Sequence, residues 1–116
     1  MTSAQDCIFC RIVAGDFGTT FHYESDSVVA FDDLSPQATT HVLVVPRRHV
    51  ASAAELGVED GALLAELVVA ANRIATERGI DSSGYRLLTN VGPDAGQTVM
   101  HLHLHLLGGN ALGPLG

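Results

Sequence analysis

Three histidines stand at alternate positions near the end of this 116-residue chain. His101, His103 and His105 are separated by Leu102 and Leu104. Alternation is the period of a β-strand, so we predict that the imidazoles share one face and the leucines the other. The leucine face can be buried in a core, which leaves the imidazoles on a rigid element. Imidazole is suited to attack phosphorus and to move protons near neutral pH, so we predict a catalytic site on this strand.

The spacing of the three histidines limits what a metal could do there. A strand rises about 3.3 Å per residue, so His101 and His105 start roughly 13 Å apart. Ligand bonds near ~2 Å do not readily join all three to one ion. Two neighbours could share a metal, which leaves open a catalytic site built from His101, His103 and a third ligand. The alternative is that the three histidines have different tasks.

The segment around these histidines resembles the signature of the histidine triad (HIT) family of nucleotide hydrolases and transferases. Residues 96–109 read Gly-Gln-Thr-Val-Met-His-Leu-His-Leu-His-Leu-Leu-Gly-Gly. The final Gly108-Gly109 favours the Hint-like branch, the purine nucleoside phosphoramidases. The fragile histidine triad branch of dinucleoside polyphosphate hydrolases is the alternative. The resemblance extends from Cys7 to Gly109 and implies a single domain over residues 1–116.

The resemblance implies cleavage of nucleoside 5′-phosphoramidates at the α-phosphorus, with no metal in the catalytic step. His103 would be the nucleophile and form a nucleotidyl-histidine, which splits one difficult displacement into two easier ones. His105 would bind phosphate oxygens, and His41 would help to hold charge and protons around His103. Thr98 stands where the branch usually has serine and keeps the hydroxyl that can protonate a leaving amine. The resemblance assigns catalysis to His41, Thr98, His101, His103 and His105.

The same resemblance assigns a nucleotide-binding site. A carboxylate at Asp33 offers two acceptor oxygens to the ribose hydroxyls. The glycine-rich residues 90–98 precede the triad, and backbone N–H groups of Gly96 and Thr98 would surround the phosphate. Apolar residues of an N-terminal helix would surround the base. The assigned residues are Ile8, Phe9, Ile12, Asp33, Asn90, Gly96, Gln97, Thr98, His103 and His105.

Cys7 and Cys10 have Cys-x-x-Cys spacing. Because disulfides are rare in the reducing compartment that we expect for this protein, the spacing indicates a metal-binding or redox role more than a structural disulfide. A pair of buried free thiols is the alternative. By resemblance to some bacterial family members, His49 and His101 would complete the set. A closed Cys₂His₂ set is typical of structural zinc, which would attach the N-terminal helix to the sheet.

The remaining pattern predicts an α+β fold with an antiparallel sheet of about five strands. Apolar residues at helical spacing predict a short helix over Cys7–Ala14 and one long helix over Val58–Gly79. The run Thr40–Pro46 is almost entirely apolar and β-branched, which predicts a central strand buried on both faces. The other predicted strands are residues 20–24, 27–31, 85–90 and 100–107.

Charge and composition restrict the partners. The net charge of −7 argues against binding long nucleic acid through a basic surface, but a few backbone amides can hold one purine nucleotide such as AMP. The apolar runs are short for a membrane span and no signal peptide is evident, so we expect a cytoplasmic protein. By resemblance, the long helix would lie in a homodimer interface. A nucleotide- or partner-binding module with incidental turnover is the alternative to an enzyme, and it would not require His103.

Overall fold

The computed structural model describes residues 7–114. Their five strands form one antiparallel sheet in the order β1-β2-β3-β5-β4, with a long helix and a short N-terminal helix. This confirms the predicted α+β fold. The elements are α1 (Ile8–Val13), β1 (Tyr23–Glu24), β2 (Val28–Asp32), β3 (Thr40–Pro46), α2 (Gly61–Glu77), β4 (Tyr85–Leu88) and β5 (Leu104–Gly108).

The two faces of the sheet carry different layers. On one face α2 packs over the strands and forms the main core, which includes Leu67, Ile74 and Leu106. On the other face α1 covers a smaller cluster that includes Phe9 and Phe31. All of β3 is buried, as its continuous apolar run predicted. Within the residues that the structure describes, no helix is both long enough and apolar enough to span a lipid bilayer.

The triad strand is shorter than the alternating pattern predicted. The ladder between β3 and β5 ends where Val44 pairs with Leu104, so Leu102 would next face Pro46. Proline has no backbone N–H to donate, and the Pro46 carbonyl accepts a hydrogen bond from the ring Nε2 of His101 at 2.8 Å. Leu102 N–H donates to the Val50 carbonyl instead, at 2.6 Å. The chain before Leu104 therefore leaves the sheet.

The predicted division between the two faces is nevertheless confirmed. Leu102, Leu104 and Leu106 are buried in the core on the α2 side. The histidines between them contact residues of the opposite side, where the ring of Phe9 lies against both His101 and His103. The period of two continues through residues that are not part of the ladder, because the leucines still need burial.

The long helix begins three residues later than predicted. Val58–Asp60 form a 3-10 turn, and the Asp60 carboxylate accepts a hydrogen bond from the Gly57 N–H at 2.8 Å. The turn satisfies donors that an α-helix would leave without a partner at its N-terminus. Gly79 follows the helix at a φ of +71°, where an L side chain would be strained, which agrees with the predicted end.

The core makes a testable prediction about stability. Leu67 is 1% exposed in α2, so Leu67→Ala should lower the free energy of unfolding by about 2–5 kcal/mol through lost burial and a residual cavity. Leu34→Ala is the matched control, because Leu34 is 97% exposed and should change stability by less than about 0.5 kcal/mol. Urea denaturation of both variants measures the difference. Equal losses in the two variants would contradict this description of the core.

Candidate active site

A cavity of about 310 Å³ opens on the α1 side of the sheet. Nine of the ten residues predicted to bind a nucleotide line it, and Gln97 does not. The wall combines apolar side chains from α1 and the sheet with polar groups from the loops and β5. The lining residues are Ile8, Phe9, Ile12, Thr19, Phe31, Asp32, Asp33, Leu34, Leu43, Asn90, Gly96, Thr98, Val99, His103 and His105.

Sequence reasoning missed part of the apolar wall. Leu34 lies in a polar turn after β2 and is 97% exposed, although it borders the cavity. An apolar residue beside the predicted Asp33 was the available signal. Leu43 follows His41 by two positions on β3, so strand periodicity could have placed it on the same face. Thr19 and Val99 carried no comparable signal.

Gln97 shapes the glycine-rich loop from within and does not reach the cavity. Its Nε2 donates hydrogen bonds to the carbonyls of Ala51 (2.8 Å) and Val99 (3.0 Å). Its Oε1 accepts from the Gly92 N–H at 3.0 Å. The side chain is buried and its donors and acceptor bind main-chain groups, which indicates a role in holding the loop, and its contact with a nucleotide stays a prediction.

The loop itself depends on glycine. Gly92 and Gly96 have φ values of +84° and +90°, a region that disfavours L side chains. The Gly96 N–H donates to the Pro93 carbonyl at 3.0 Å, so this amide is paired within the loop. Gly96 and Thr98 both border the cavity, and their backbone contact with a phosphate stays a prediction.

A backbone carbonyl sets the protonation of His103. Its Nδ1 lies 2.7 Å from the carbonyl oxygen of His101. A carbonyl can only accept, so in the neutral ring Nδ1 carries the proton and Nε2 has the lone pair. The Phe9 ring lies edge-on to the imidazole at a centroid distance of 5.1 Å. The ring is thus held as a potential nucleophile at the cavity wall.

A second backbone group determines which ring nitrogens carry the protons in the His41–His105 pair. The Gln37 N–H donates to His41 Nδ1 at 3.0 Å, so the proton of the neutral His41 ring lies on Nε2. That Nε2 donates to His105 Nδ1 at 2.9 Å. The proton of His105 is therefore on its Nε2. This atom is buried and has no hydrogen-bond partner within residues 7–114, which leaves a donor for a ligand.

Asp33 extends this chain of hydrogen bonds. Its Oδ1 accepts from the Ser35 N–H at 2.8 Å, and its Oδ2 lies 3.5 Å from His41 Nε2. Asp33, His41 and His105 are close enough to resemble a metal-binding set. A metal would need the lone pair of His41 Nε2, but the Gln37 amide occupies Nδ1 and thereby keeps the proton on Nε2. The arrangement fits a proton-ordered chain better than a cation.

Burial keeps both histidines of this pair neutral at physiological pH. It lowers the pKa of His105 to about 4, helped by the neighbouring His103 and His41. Burial also lowers the pKa of His41, although the Asp33 carboxylate acts in the opposite direction. His105 can therefore donate from Nε2 to an anion without itself carrying a charge.

The four residues predicted to bind zinc lie together, and their ligand atoms are all within 4.8 Å of one another. Cys7 Sγ is 3.3 Å from His101 Nδ1, and Cys10 Sγ is 3.2 Å from His49 Nδ1. Tetrahedral zinc with bonds near ~2.3 Å to sulfur and ~2.0 Å to nitrogen would separate such atoms by about 3.5 Å. We call this set the Cys/His cluster, and its residues fit a structural zinc ion.

Neighbouring groups agree with that interpretation. His101 Nε2 donates to the Pro46 carbonyl, which leaves Nδ1 unprotonated toward the cysteines. Burial and the adjacent Cys7 thiol raise the pKa of Cys10 to about 11, so a bound cation is needed to hold its sulfur as a thiolate at neutral pH. The His101 ring is fully buried in the cluster and does not line the cavity. A catalytic metal shared by His101 and His103 is therefore not supported. His101 contacts two residues that line the cavity, Phe9 through its ring and His103 through its carbonyl.

The tautomers can be tested directly by nuclear magnetic resonance of the protein with ¹⁵N-labelled imidazoles. We expect His103 as the Nδ1–H form and His105 as the Nε2–H form, with His105 titrating near pH 4. Between its ordinary pKa of 6.5 and about 4, the unfolded chain binds more protons than the folded one. The contribution of His105 to the free energy of unfolding should therefore fall as the pH drops through this range. An Nε2–H form of His103 would contradict the assignment.

The chain is similar to known proteins in both sequence and fold. A family model described as the HIT domain matches residues 15–112. The purine nucleoside phosphoramidase of Escherichia coli strain K12 is 38% identical over 97% of this chain and 94% of its own. Among solved structures, a HIT family hydrolase from Clostridium thermocellum has a TM-score of 0.92 and 42% identity, covering 97% and 98% of the two chains. A histidine triad protein from Clostridium difficile has a TM-score of 0.92 and 41% identity over 99% and 100%. The predicted resemblance is thereby confirmed, and the chain belongs to the HIT family.

Proposed function

We propose that this protein is a nucleotide hydrolase that cleaves nucleoside 5′-phosphoramidates at the α-phosphorus through a nucleotidyl-histidine on His103. The observation that carries the proposal is the pair of ring nitrogens at the cavity wall. His103 Nε2 has a lone pair, and His105 Nε2–H is a donor without a partner among the described residues. The E. coli relative named a purine nucleoside phosphoramidase supports the reaction class.

The cavity suits a purine nucleotide such as AMP. Ile8, Phe9 and Ile12 supply an apolar wall of the kind that holds a base. The Asp33 carboxylate is held by Ser35 and retains acceptor capacity for the ribose hydroxyls. Asn90 borders the same space and would bond near the ribose or phosphate.

In the first step, His103 Nε2 attacks the α-phosphorus and the phosphorus–nitrogen bond to the leaving amine breaks. The amine leaves with the electron pair and takes a proton from the Thr98 hydroxyl. His103 keeps its Nδ1 proton, so the intermediate is an imidazolium whose charge faces the His101 carbonyl. His105 Nε2–H donates to a phosphate oxygen, which stabilises charge without reorganisation.

In the second step, water attacks the phosphorus and the bond to His103 Nε2 breaks. The electron pair returns to the imidazole, and the Thr98 oxygen recovers a proton from the attacking water. The sum is phosphoramidate plus water giving nucleotide plus amine. Threonine adds one methyl group where the branch usually has serine, so we expect a modest effect on rate and no change of reaction class.

The proposal includes a structural zinc in the Cys/His cluster, held by Cys7, Cys10, His49 and His101. When bound, the ion would neutralise the two thiolates and join α1 to the chain after β3. It takes no part in the reaction, because its four ligands close the coordination shell. The cluster residues themselves hold α1 beside the cavity.

We also propose that two chains pair. The helix α2 leaves Leu64 and Val69 about half exposed, at 49% and 47%. The strand β4 lies at one edge of the sheet, and proteins commonly cover such an edge. Pairing through α2 and β4 would bury these surfaces.

The catalytic proposal is tested with adenosine 5′-phosphoramidate as the substrate and AMP release as the measurement. His103→Ala should lower kcat by about a thousandfold or more, because the covalent route is lost, while AMP binding remains. His22→Ala is the matched control, since its ring instead pairs with Asp32 at 2.9 Å. Full activity of His103→Ala would contradict the assignment of His103 as the nucleophile. Tight AMP binding without turnover by the wild type would favour a binding module or a phosphoanhydride substrate.

The zinc proposal is tested by metal analysis of freshly purified protein. We expect about one zinc per chain in the wild type and in His22→Ala, because a closed site has four ligands from one chain. Cys10→Ser should lose most of the metal and unfold at a lower temperature. Strongly substoichiometric zinc in the wild type would count against the site.

A further inference from the structure

We propose that the Cys/His cluster and the cavity are thermodynamically coupled, so that metal in the cluster strengthens nucleotide binding and nucleotide strengthens metal binding. The inference rests on the proposed nucleotide site and goes beyond a purely structural role for zinc. Linkage requires the two effects to be equal in free energy. Three separate paths in the structure join the two sites.

The first path is helix α1. It has six residues, too few for a stable helix without tertiary contacts. Cys7 and Cys10 enclose Ile8 and Phe9, and both of these intervening residues line the cavity. Phe9 also lies edge-on to the ring of His103. Releasing the two sulfurs from a metal would therefore loosen the apolar wall and the packing of the nucleophile together.

The second path runs through a single residue, His101. Its ring Nδ1 lies 3.3 Å from Cys7 Sγ and 3.5 Å from Cys10 Sγ. Its backbone carbonyl accepts the Nδ1–H of His103 at 2.7 Å. A shift of His101 after metal loss would move the group that directs the lone pair of His103.

The third path follows the chain after β3. His49 contacts Cys10 in the cluster, and two residues later the Ala51 carbonyl accepts a hydrogen bond from Gln97. Gln97 holds the glycine-rich loop next to Thr98, which borders the cavity. Movement of His49 would thus reach the loop that is expected to contact the phosphate.

These paths predict the sign of the coupling. In the metal-free protein, nucleotide binding must also order α1 and the loop, and the conformational entropy lost in that ordering opposes binding. With metal bound, these segments are already ordered, so the nucleotide binds more tightly. Coupling between sites in proteins usually changes affinity by about fivefold or more, and we expect an effect of at least that size.

The experiment uses the zinc-loaded protein. Zinc is distributed between the protein and a competing chromophoric chelator at equilibrium, with and without saturating AMP, and the absorbance gives the zinc affinity. We expect AMP to raise this affinity by about fivefold or more. The same AMP concentration should have no effect on Asp33→Ala, which controls for AMP binding to zinc in solution. Phe9→Leu keeps all four ligands and should show a smaller effect.

Equal zinc affinities of the wild type with and without saturating AMP would overturn the coupling, and so would a protein that takes up no zinc. Calorimetry of AMP binding to the zinc-loaded protein separates this failure from failure of the proposed function. If AMP binds and phosphoramidate is cleaved but the zinc affinity is unchanged, only the coupling is wrong. If AMP does not bind the loaded protein, the nucleotide site itself is wrong.

Discussion

The hydrogen bond from His103 Nδ1–H to the His101 carbonyl, at 2.7 Å, is the interaction on which the proposed chemistry depends. This hydrogen bond can form because the chain leaves the sheet before Leu104, so the His101 carbonyl accepts from a side chain and not from a neighbouring strand. Pro46, which would next pair with Leu102, has no N–H for the ladder. The His101 carbonyl therefore lies outside the ladder, where it accepts the hydrogen bond from His103.

Backbone groups also order the protons in the rest of the site. The Gln37 amide makes His41 a donor at Nε2, and His41 in turn makes His105 a donor at its own Nε2. Main-chain donors and acceptors do not titrate, so they favour one tautomer of each neutral ring. Burial lowers the pKa of His105 to about 4, so its Nε2–H is presented by a neutral ring.

The Cys/His cluster and the cavity share structural elements. Cys7 caps helix α1 and Cys10 lies within it, and three residues of α1 line the cavity. His101 belongs to the cluster by its ring and to the site by its carbonyl. A helix of six residues has little stability of its own, so whatever holds the cysteines also holds the wall. Because the two sites share α1 and His101, we expect metal binding and nucleotide binding to affect each other.

Much of this could be predicted from the sequence. Periodicity placed the leucines and the imidazoles on opposite sides, the apolar run identified β3, and the family resemblance named nine of the residues that line the cavity. These features follow from local patterns and from residue types. Tertiary structure alone decided which ring nitrogen of each histidine carries a proton. Those protons are placed by hydrogen bonds to the main chain of Gln37, Pro46 and His101, and only the fold brings these groups to the rings. It also turned Gln97 inward and used the Gly96 amide within the loop, since hydrogen-bond partners are set by the folded main chain and not by the order of residues.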